Sequence, residues 1–144
     1  MAATGTTVGR ITLEFTIANY RDVVAAEASL LPPEQVRRVT LRGVVDTGAT
    51  RLVLPESAVD QLGLPPSGQA TVRFADRRTA LRAMVKNVSV ELLGRQGVFT
   101  AVVEPGRDTA LIGAIVMEDL DFLGDRATQT LRPRDPDTII SEVE

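Results

Sequence analysis

Short segments in which every second residue is apolar dominate the first hundred positions of the chain. In residues 11–17, isoleucine, leucine and phenylalanine alternate with polar side chains, which is the pattern of a strand with one buried face. Similar segments flank turn-forming residues at 75–78 and 94–96, and each pair predicts a hairpin. The further predicted strands are residues 36–45, 70–74, 79–85, 88–93 and 97–103. The pattern therefore indicates a mainly β protein.

Three segments depart from this alternation. Residues 55–62 begin with proline and end before Gly63, which predicts a short helix with proline in its first turn. Apolar residues spaced along 114–123 predict a second, C-terminal helix. The alanine-rich segment 19–33 ends in two prolines, and we interpret it as a long surface loop.

The length of 144 residues, without an internal repeat or a low-complexity linker, fits one domain. A last strand is expected within residues 127–132, and residues 133–144 have the character of a C-terminal tail. We therefore expect a single domain over residues 1–132.

Composition mainly excludes functions. The chain has no cysteine and no histidine, so it has no disulfide, thiolate nucleophile, serine–histidine triad or imidazole metal ligand. The scattered basic residues, a single tyrosine and no tryptophan argue against a nucleic-acid partner. No apolar run approaches the length of a membrane span, and residues 1–5 lack the features of a signal peptide, so no membrane partner and a cytoplasmic location are expected. Carboxylate chemistry is the main option left for an enzyme.

The most informative motif is Asp46-Thr47-Gly48-Ala49, which directly follows a predicted apolar strand. Glycine permits a tight turn, and the Gly48 and Ala49 amides could then donate hydrogen bonds to the Asp46 carboxylate. One such carboxylate is a weak catalyst of amide hydrolysis, whereas two carboxylates about 3 Å apart share a proton and supply both an acid and a base.

The second carboxylate has no evident source within the chain. The nearest similar sequence, Asp108-Thr109-Ala110, lacks the glycine that the turn requires. A two-fold axis beside Asp46 would bring the same residue from two identical subunits together. A homodimer is therefore the simplest arrangement.

Several motifs in order resemble the retropepsin-like aspartic protease family. The segment 44–50 resembles its first signature, and Leu111-Ile112-Gly113 before a helix resembles its second. Segments 88–94 and 97–103 resemble the hairpin that precedes the second signature, and 52–55 with 62–64 resembles the bacterial branch of the family. The resemblance spans about residues 11–131, and it implies a closed β-barrel with one short C-terminal helix and one half-site per subunit.

The resemblance also implies roles for particular residues. Asp46 would be the catalytic carboxylate, Thr47 would bond to the partner subunit's copy of the turn, and Gly48 would permit the turn. A peptide substrate would be hydrolysed without a cofactor or metal. Substrate contacts are expected from Ala49, Thr50, Phe74, Ala75, Asp76, Arg77 and Arg78, the last five forming a flap over the site. Leu111, Ile112 and Gly113 would support the catalytic turn from behind.

The chain differs from the viral members of the family at two places. Its expected flap has no glycine at the tip, which suggests that the flap moves differently or reads charge on a substrate. Thr50, Arg51 and Ala114 also replace the residues that form a buttressing ion pair in the viral dimers, so that pair is missing here.

Other interpretations stay open at the level of sequence. The Asp-Thr-Gly segment could be an ordinary turn, and Arg77 and Arg78 an ordinary solvated hairpin tip. A dimeric peptide-binding or scaffolding module with the same fold would need no turnover. Asp119, Asp121 and Asp125 could form an oxygen-ligand metal site, but they lack the glycine and terminal glutamate of a calcium loop.

Overall fold

The computed structural model describes residues 10–144, which form a mainly β structure with three short helices. The strands are β1 Ile11–Asn19, β2 Arg38–Val45, β3 Leu52–Pro55, β4 Pro66–Arg73, β5 Thr79–Leu92, β6 Arg95–Glu104, β7 Ala110–Ile112, β8 Phe122–Asp125 and β9 Thr130–Pro133. The helices are α1 Tyr20–Glu27, α2 Glu56–Leu62 and α3 Ala114–Asp119, with a 3-10 turn at Pro33–Gln35. The predicted mainly β class is confirmed.

Six strands close into a barrel. The order β1-β2-β7-β3-β6-β5 returns to its start because β5 also pairs with β1, from Thr16 opposite Glu91 to Asn19 opposite Val88. Within residues 10–144, the fourth strand, β4, pairs only with β5, and it extends the sheet beyond the barrel. This closed barrel with a short C-terminal helix confirms the expected retropepsin-like fold class.

The barrel interior is filled by the alternating apolar residues of its strands, as the sequence pattern predicted. Ile17, Leu54, Val90 and Ile112 are all fully buried within one continuous core. Gly43 on β2 is part of this packing, since a Cβ atom there would lie 2.7 Å from the Phe15 ring and 2.9 Å from Ile112. Tight packing at the end of β2 fixes the position from which the chain enters the Asp46 turn.

The loop predicted for residues 19–33 was wrong in its first half, where α1 forms. Asn19 starts the helix, because its Oδ1 accepts hydrogen bonds from the Arg21 and Asp22 amides at 2.9 and 3.3 Å. No residue of α1 is buried, so the helix lacks the strong apolar stripe from which it could have been predicted.

Two other boundaries also differ from the prediction. The expected strands 79–85 and 88–93 are one strand, β5, whose pairing shifts between Val85 and Val88 where Asn87 adopts a left-handed φ of 59°. The C-terminal helix ends at Asp119 and not at residue 123, because Asp121 takes a φ of 60° and β8 follows. The last strand, β9, occupies Thr130–Pro133 and pairs with β8.

Asn19 joins α1 to the barrel and to α2, and its removal should destabilise the fold. The side chain is 1% exposed, and its Nδ2 donates to the Leu62 and Gly63 carbonyls at 2.9 and 3.3 Å. Asn19→Ala removes the cap and deprives the buried Leu62 carbonyl of this donor, so we expect a loss of about 2–4 kcal/mol in the free energy of unfolding, measured by urea denaturation. Asn19→Asp, which keeps the cap acceptor but not the donor, should also destabilise; a loss below about 0.5 kcal/mol in both variants would contradict this role.

The contact between α1 and the segment before β2 should stabilise the protein less at acidic pH. The Arg37 guanidinium donates hydrogen bonds to Asp22 at 2.8 and 3.1 Å and holds the pKa of that carboxyl below its usual value. A lowered folded-state pKa contributes stability above the unfolded-state value of about 3.9, and that contribution is lost as the pH falls through the folded-state pKa. Between about pH 5 and pH 2.5, the melting temperature of Asp22→Asn should therefore fall less than that of the wild type. Asp60→Asn, at an exposed carboxylate on α2, is the control, and equal slopes for Asp22→Asn and the wild type would refute the assignment.

Candidate active site

The Asp46 turn lies where two parallel strands end side by side. β2 pairs in parallel with β7, with Val45 opposite Ile112, and the Asp46 amide then donates to the Ile112 carbonyl at 3.0 Å. On its other side β7 pairs with β3, the strand that leaves the turn. The turn is thus anchored at its entry and its exit by the same short strand.

Within the turn, Asp46 is held by its own backbone. Its Oδ1 accepts a hydrogen bond from the Gly48 amide at 3.0 Å, as the sequence predicted. The prediction for Ala49 was wrong, because its amide donates to the Asp46 backbone carbonyl at 3.1 Å and not to the carboxylate. Asp46 is half-buried, while Thr47 and Gly48 are exposed, so the turn lies at the surface of the protein.

Helix α3 holds the turn from behind. The Ala114 and Ile115 amides donate to the Ala49 and Thr50 carbonyls at 2.8 and 3.0 Å. Gly113 makes this approach possible, since a Cβ atom there would clash with the Arg51 carbonyl oxygen and lie 2.7 Å from that of Ala49. The structure therefore brings the residues of both sequence motifs, 46–50 and 111–113, into direct contact.

The hairpin tip, residues 74–78, lies apart from this contact network. Phe74 and Arg78 close the tip through a backbone hydrogen bond of 2.8 Å, and Asp76 forms an ion pair with Arg78 at 2.6 Å. Within residues 10–144, no hydrogen bond or ion pair joins the tip to the Asp46 turn. The left-handed position that glycine would favour is occupied by Arg77, with a φ of 72°.

A cleft of about 710 Å³ opens beside the turn. Thr47 lines it together with Ala114 and Met117 of α3, and the C-terminal residues 140–142 form the opposite side. The cleft contains the half-exposed apolar side chains Leu123 and Ile140. This is therefore a partly apolar surface next to the Asp46 turn.

The C-terminal segment is fastened to the barrel by the buried carboxylate of Asp121, which the sequence suggested only as a possible metal ligand. Asp121, 7% exposed, pairs with Arg134 at 2.9 Å and accepts from the Ile140 amide at 2.9 Å. Arg95 donates to the carbonyls of Leu120, Asp121, Asp135 and Thr138. Neither contact has a local sequence signal, because each joins residues that are distant along the chain.

Two of the three aspartates considered for a metal site are engaged in other ways. Besides the contacts of Asp121, Asp125 accepts hydrogen bonds from the Thr128 amide at 3.3 Å and the Ala127 amide at 3.0 Å. Hydrogen bonding by Thr128 is the main cause that lowers the pKa of Asp125, and the Ala127 amide adds to it. Across residues 10–144, no three acidic residues are grouped in a way that could hold a metal ion. A helix long and apolar enough to cross a membrane is likewise not found in that part of the chain.

Comparison with known protein families shows to which family this chain belongs. The family model described as aspartyl protease matches residues 34–116, more than half of the chain, including both motifs. The chain belongs to the aspartyl protease family. No curated protein sequence matches it significantly.

Solved structures show that this aspartyl protease has the fold of the retroviral enzymes. EIAV protease in complex with an inhibitor matches with a TM-score of 0.56 and 15% identity, over 83% of this chain and 94% of that one. The foamy viral protease-reverse transcriptase, in complex with an RNA/DNA hybrid, matches with a TM-score of 0.51 and 19% identity over 76% of this chain. The matched region is only 12% of that viral chain. At these identities the likeness concerns the fold alone.

Proposed function

We propose that the chain is a homodimeric aspartic endopeptidase that hydrolyses peptide bonds with a water molecule held between two Asp46 carboxylates. The observation that carries this proposal is the Asp46 turn, whose carboxylate is oriented by the Gly48 amide and presented at the subunit surface. Among the described residues, no second carboxylate contacts Asp46 by a hydrogen bond. Membership of the aspartyl protease family supports peptide hydrolysis as the reaction.

The surface around the turn supports association of two copies. Thr47 is exposed, and its hydroxyl makes no hydrogen bond within residues 10–144, so it is free to bond to the partner's turn. Ile115 and Leu123 are exposed by 39% and 40% in the same region. Apolar side chains that are exposed around such a turn are typical of a surface that becomes buried in an interface.

The chemistry follows from the pairing of two identical acids. One Asp46 is ionised and takes a proton from the water, whose oxygen attacks the peptide carbonyl carbon. The other Asp46 is protonated and donates a hydrogen bond to the carbonyl oxygen. The Asp46 that took the proton from water passes it to the peptide nitrogen, the C–N bond breaks as the carbonyl re-forms, and a carboxyl and an amine terminus are released. Residues 74–78 would close over the peptide and exclude water.

Cleavage of an unbiased peptide library, with the mass of the protein in solution measured on the same sample, tests the proposal. We expect cleavage by a species with the mass of two chains, and a rate that declines at rising pH as the shared proton is lost. A stable dimer that binds peptides but cleaves none would instead support a scaffolding module with this fold. A monomer that cleaves peptides would contradict the paired-carboxylate mechanism.

A further inference from the structure

The hairpin formed by residues 66–85 is strongly basic in an otherwise acidic chain. It contains four arginines and one aspartate, a net charge of +3, whereas the whole chain has a net charge of −3. The hairpin extends beyond the barrel, because β4 pairs with β5 and with no other strand in the described part of the chain. This segment is called the basic hairpin below.

Two of the four arginines are neutralised by ion pairs with carboxylates of the same chain. Arg78 pairs with Asp76 at 2.6 Å, and Arg82 pairs with Glu104 at 2.9 Å. Both guanidinium groups also lie over the Phe74 ring, 5.5 and 5.8 Å from its centre. These contacts order one side of the basic hairpin and leave no net charge there.

The other two arginines, Arg73 and Arg77, carry the excess charge. Both are exposed, and neither forms an ion pair or a side-chain hydrogen bond within the part of the chain that the structure describes. Their guanidinium groups are therefore available to a ligand, and a planar guanidinium matches a carboxylate with two parallel hydrogen bonds.

The backbone conformation at Arg77 indicates that an arginine is present at this position because of its side chain. Its φ of 72° lies in the left-handed region, which glycine adopts without strain and arginine does not. The tip is fixed by the Arg77 amide donating to the Phe74 carbonyl at 2.9 Å and by the Arg78 amide donating to Asp76 at 3.0 Å. A strained residue that brings a free cation to the end of a hairpin points to a role outside the fold.

We propose that the basic hairpin selects peptide substrates with an acidic side chain that pairs with Arg77, while Arg73 adds positive charge on the same hairpin. The proposal rests on the peptidase function proposed above, in which residues 74–78 cover the peptide. An extended peptide under the hairpin would place an aspartate or glutamate side chain against the Arg77 guanidinium group, near the scissile bond but not at it. Arg77 and Arg73 are specificity residues in this scheme and take no part in bond cleavage.

The test uses matched peptides that carry glutamate, glutamine or lysine at one position at a time, on either side of a cleaved bond. Cleavage is measured at about pH 5.5, where glutamate is ionised. We expect kcat/KM for the best glutamate peptide to exceed that for its glutamine counterpart about five-fold, the effect of one exposed charge pair. Arg77→Gln should abolish this ratio, Arg77→Glu should reverse it in favour of lysine, and Arg77→Lys should keep part of it. Raising the salt concentration should reduce the wild-type ratio.

Two controls separate charge from other effects. Arg38→Glu makes the same charge change at an exposed arginine of β2 and should leave the ratio unchanged. Arg77→Gly relieves the backbone strain and removes the charge, so it should abolish the ratio while raising the melting temperature. Equal kcat/KM for glutamate and glutamine peptides in the wild type, or a ratio that survives Arg77→Gln, would overturn the proposal.

Binding measurements distinguish this failure from failure of the proposed function. The Asp46→Asn protein should bind the glutamate peptides more tightly than the glutamine peptides, with the same dependence on Arg77. If the wild type cleaves nothing but this binding preference is found, the peptidase function fails and acidic-peptide recognition stands. If peptides are cleaved and bound without regard to charge, the recognition proposal alone fails.

Discussion

Replacing Asp46 with asparagine should lower kcat/KM for any cleaved peptide by about 10³-fold, the contribution of a general acid–base pair. In the proposed dimer, asparagine could not share a proton with the partner subunit's carboxylate, so water would no longer be activated. The side-chain carbonyl oxygen of asparagine can still accept the hydrogen bond that the Gly48 amide donates at 3.0 Å. The fold and the dimer should therefore persist, and initial rates together with sedimentation of the same samples measure both properties.

Asp108→Asn is the matched control for that loss. Asp108 also precedes a threonine and is exposed, but it lies before β7 and follows no strand end. Its replacement should leave kcat/KM within about two-fold, as expected for a surface change away from the site. Full activity of the Asp46→Asn protein would rule out the carboxylate mechanism.

Replacing Gly113 with alanine should destabilise the protein by about 3 kcal/mol, the upper part of the range for overpacking. The backbone at Gly113, with φ −86° and ψ −176°, suits any residue, so the cost comes only from contact. The added Cβ would meet the Arg51 and Ala49 carbonyl oxygens. Because these are backbone atoms of the segment that leaves the Asp46 turn, the turn must shift and activity should fall as well.

Gly124→Ala provides the comparison for Gly113→Ala. The Cβ at position 124 would lie 2.9 Å from Ile11 Cδ1, the end of a flexible side chain that can move aside. Its cost in urea denaturation should stay below about 1 kcal/mol. If the two alanine variants were equally stable, the close approach of Gly113 to the turn would not determine the cost of adding a Cβ atom there.

The parts of the fold that could be predicted are those specified by local patterns. Alternation of apolar residues placed β1 and β2, and proline and glycine bounded α2. The turn at Asp46 was predicted for the same reason, because a strand followed by aspartate, threonine and glycine leaves few alternatives. The support from residues 111–113 came from the resemblance to a family, since residues so distant in sequence carry no pattern that links them.

The parts that could not be predicted depend on contacts between distant residues. Helix α1 is capped by Asn19, whose Nδ2 donates hydrogen bonds to the carbonyls of residues 62 and 63. Residues 87 and 121 adopt left-handed backbone conformations that only the folded structure shows, and they decide that β5 is continuous and that α3 is short. The fastening of the C-terminal segment by Asp121 and Arg134 is of the same kind.

A mixing experiment tests the central claim, that one active site needs Asp46 from two subunits. Wild-type and Asp46→Asn chains are mixed at constant total concentration, allowed to exchange subunits, and assayed on one peptide. If mixed dimers are inactive, activity follows the square of the wild-type fraction, and an equal mixture retains about a quarter of the full rate. Activity proportional to the wild-type fraction, with about half the rate in an equal mixture, would show that each chain acts alone and would contradict the account.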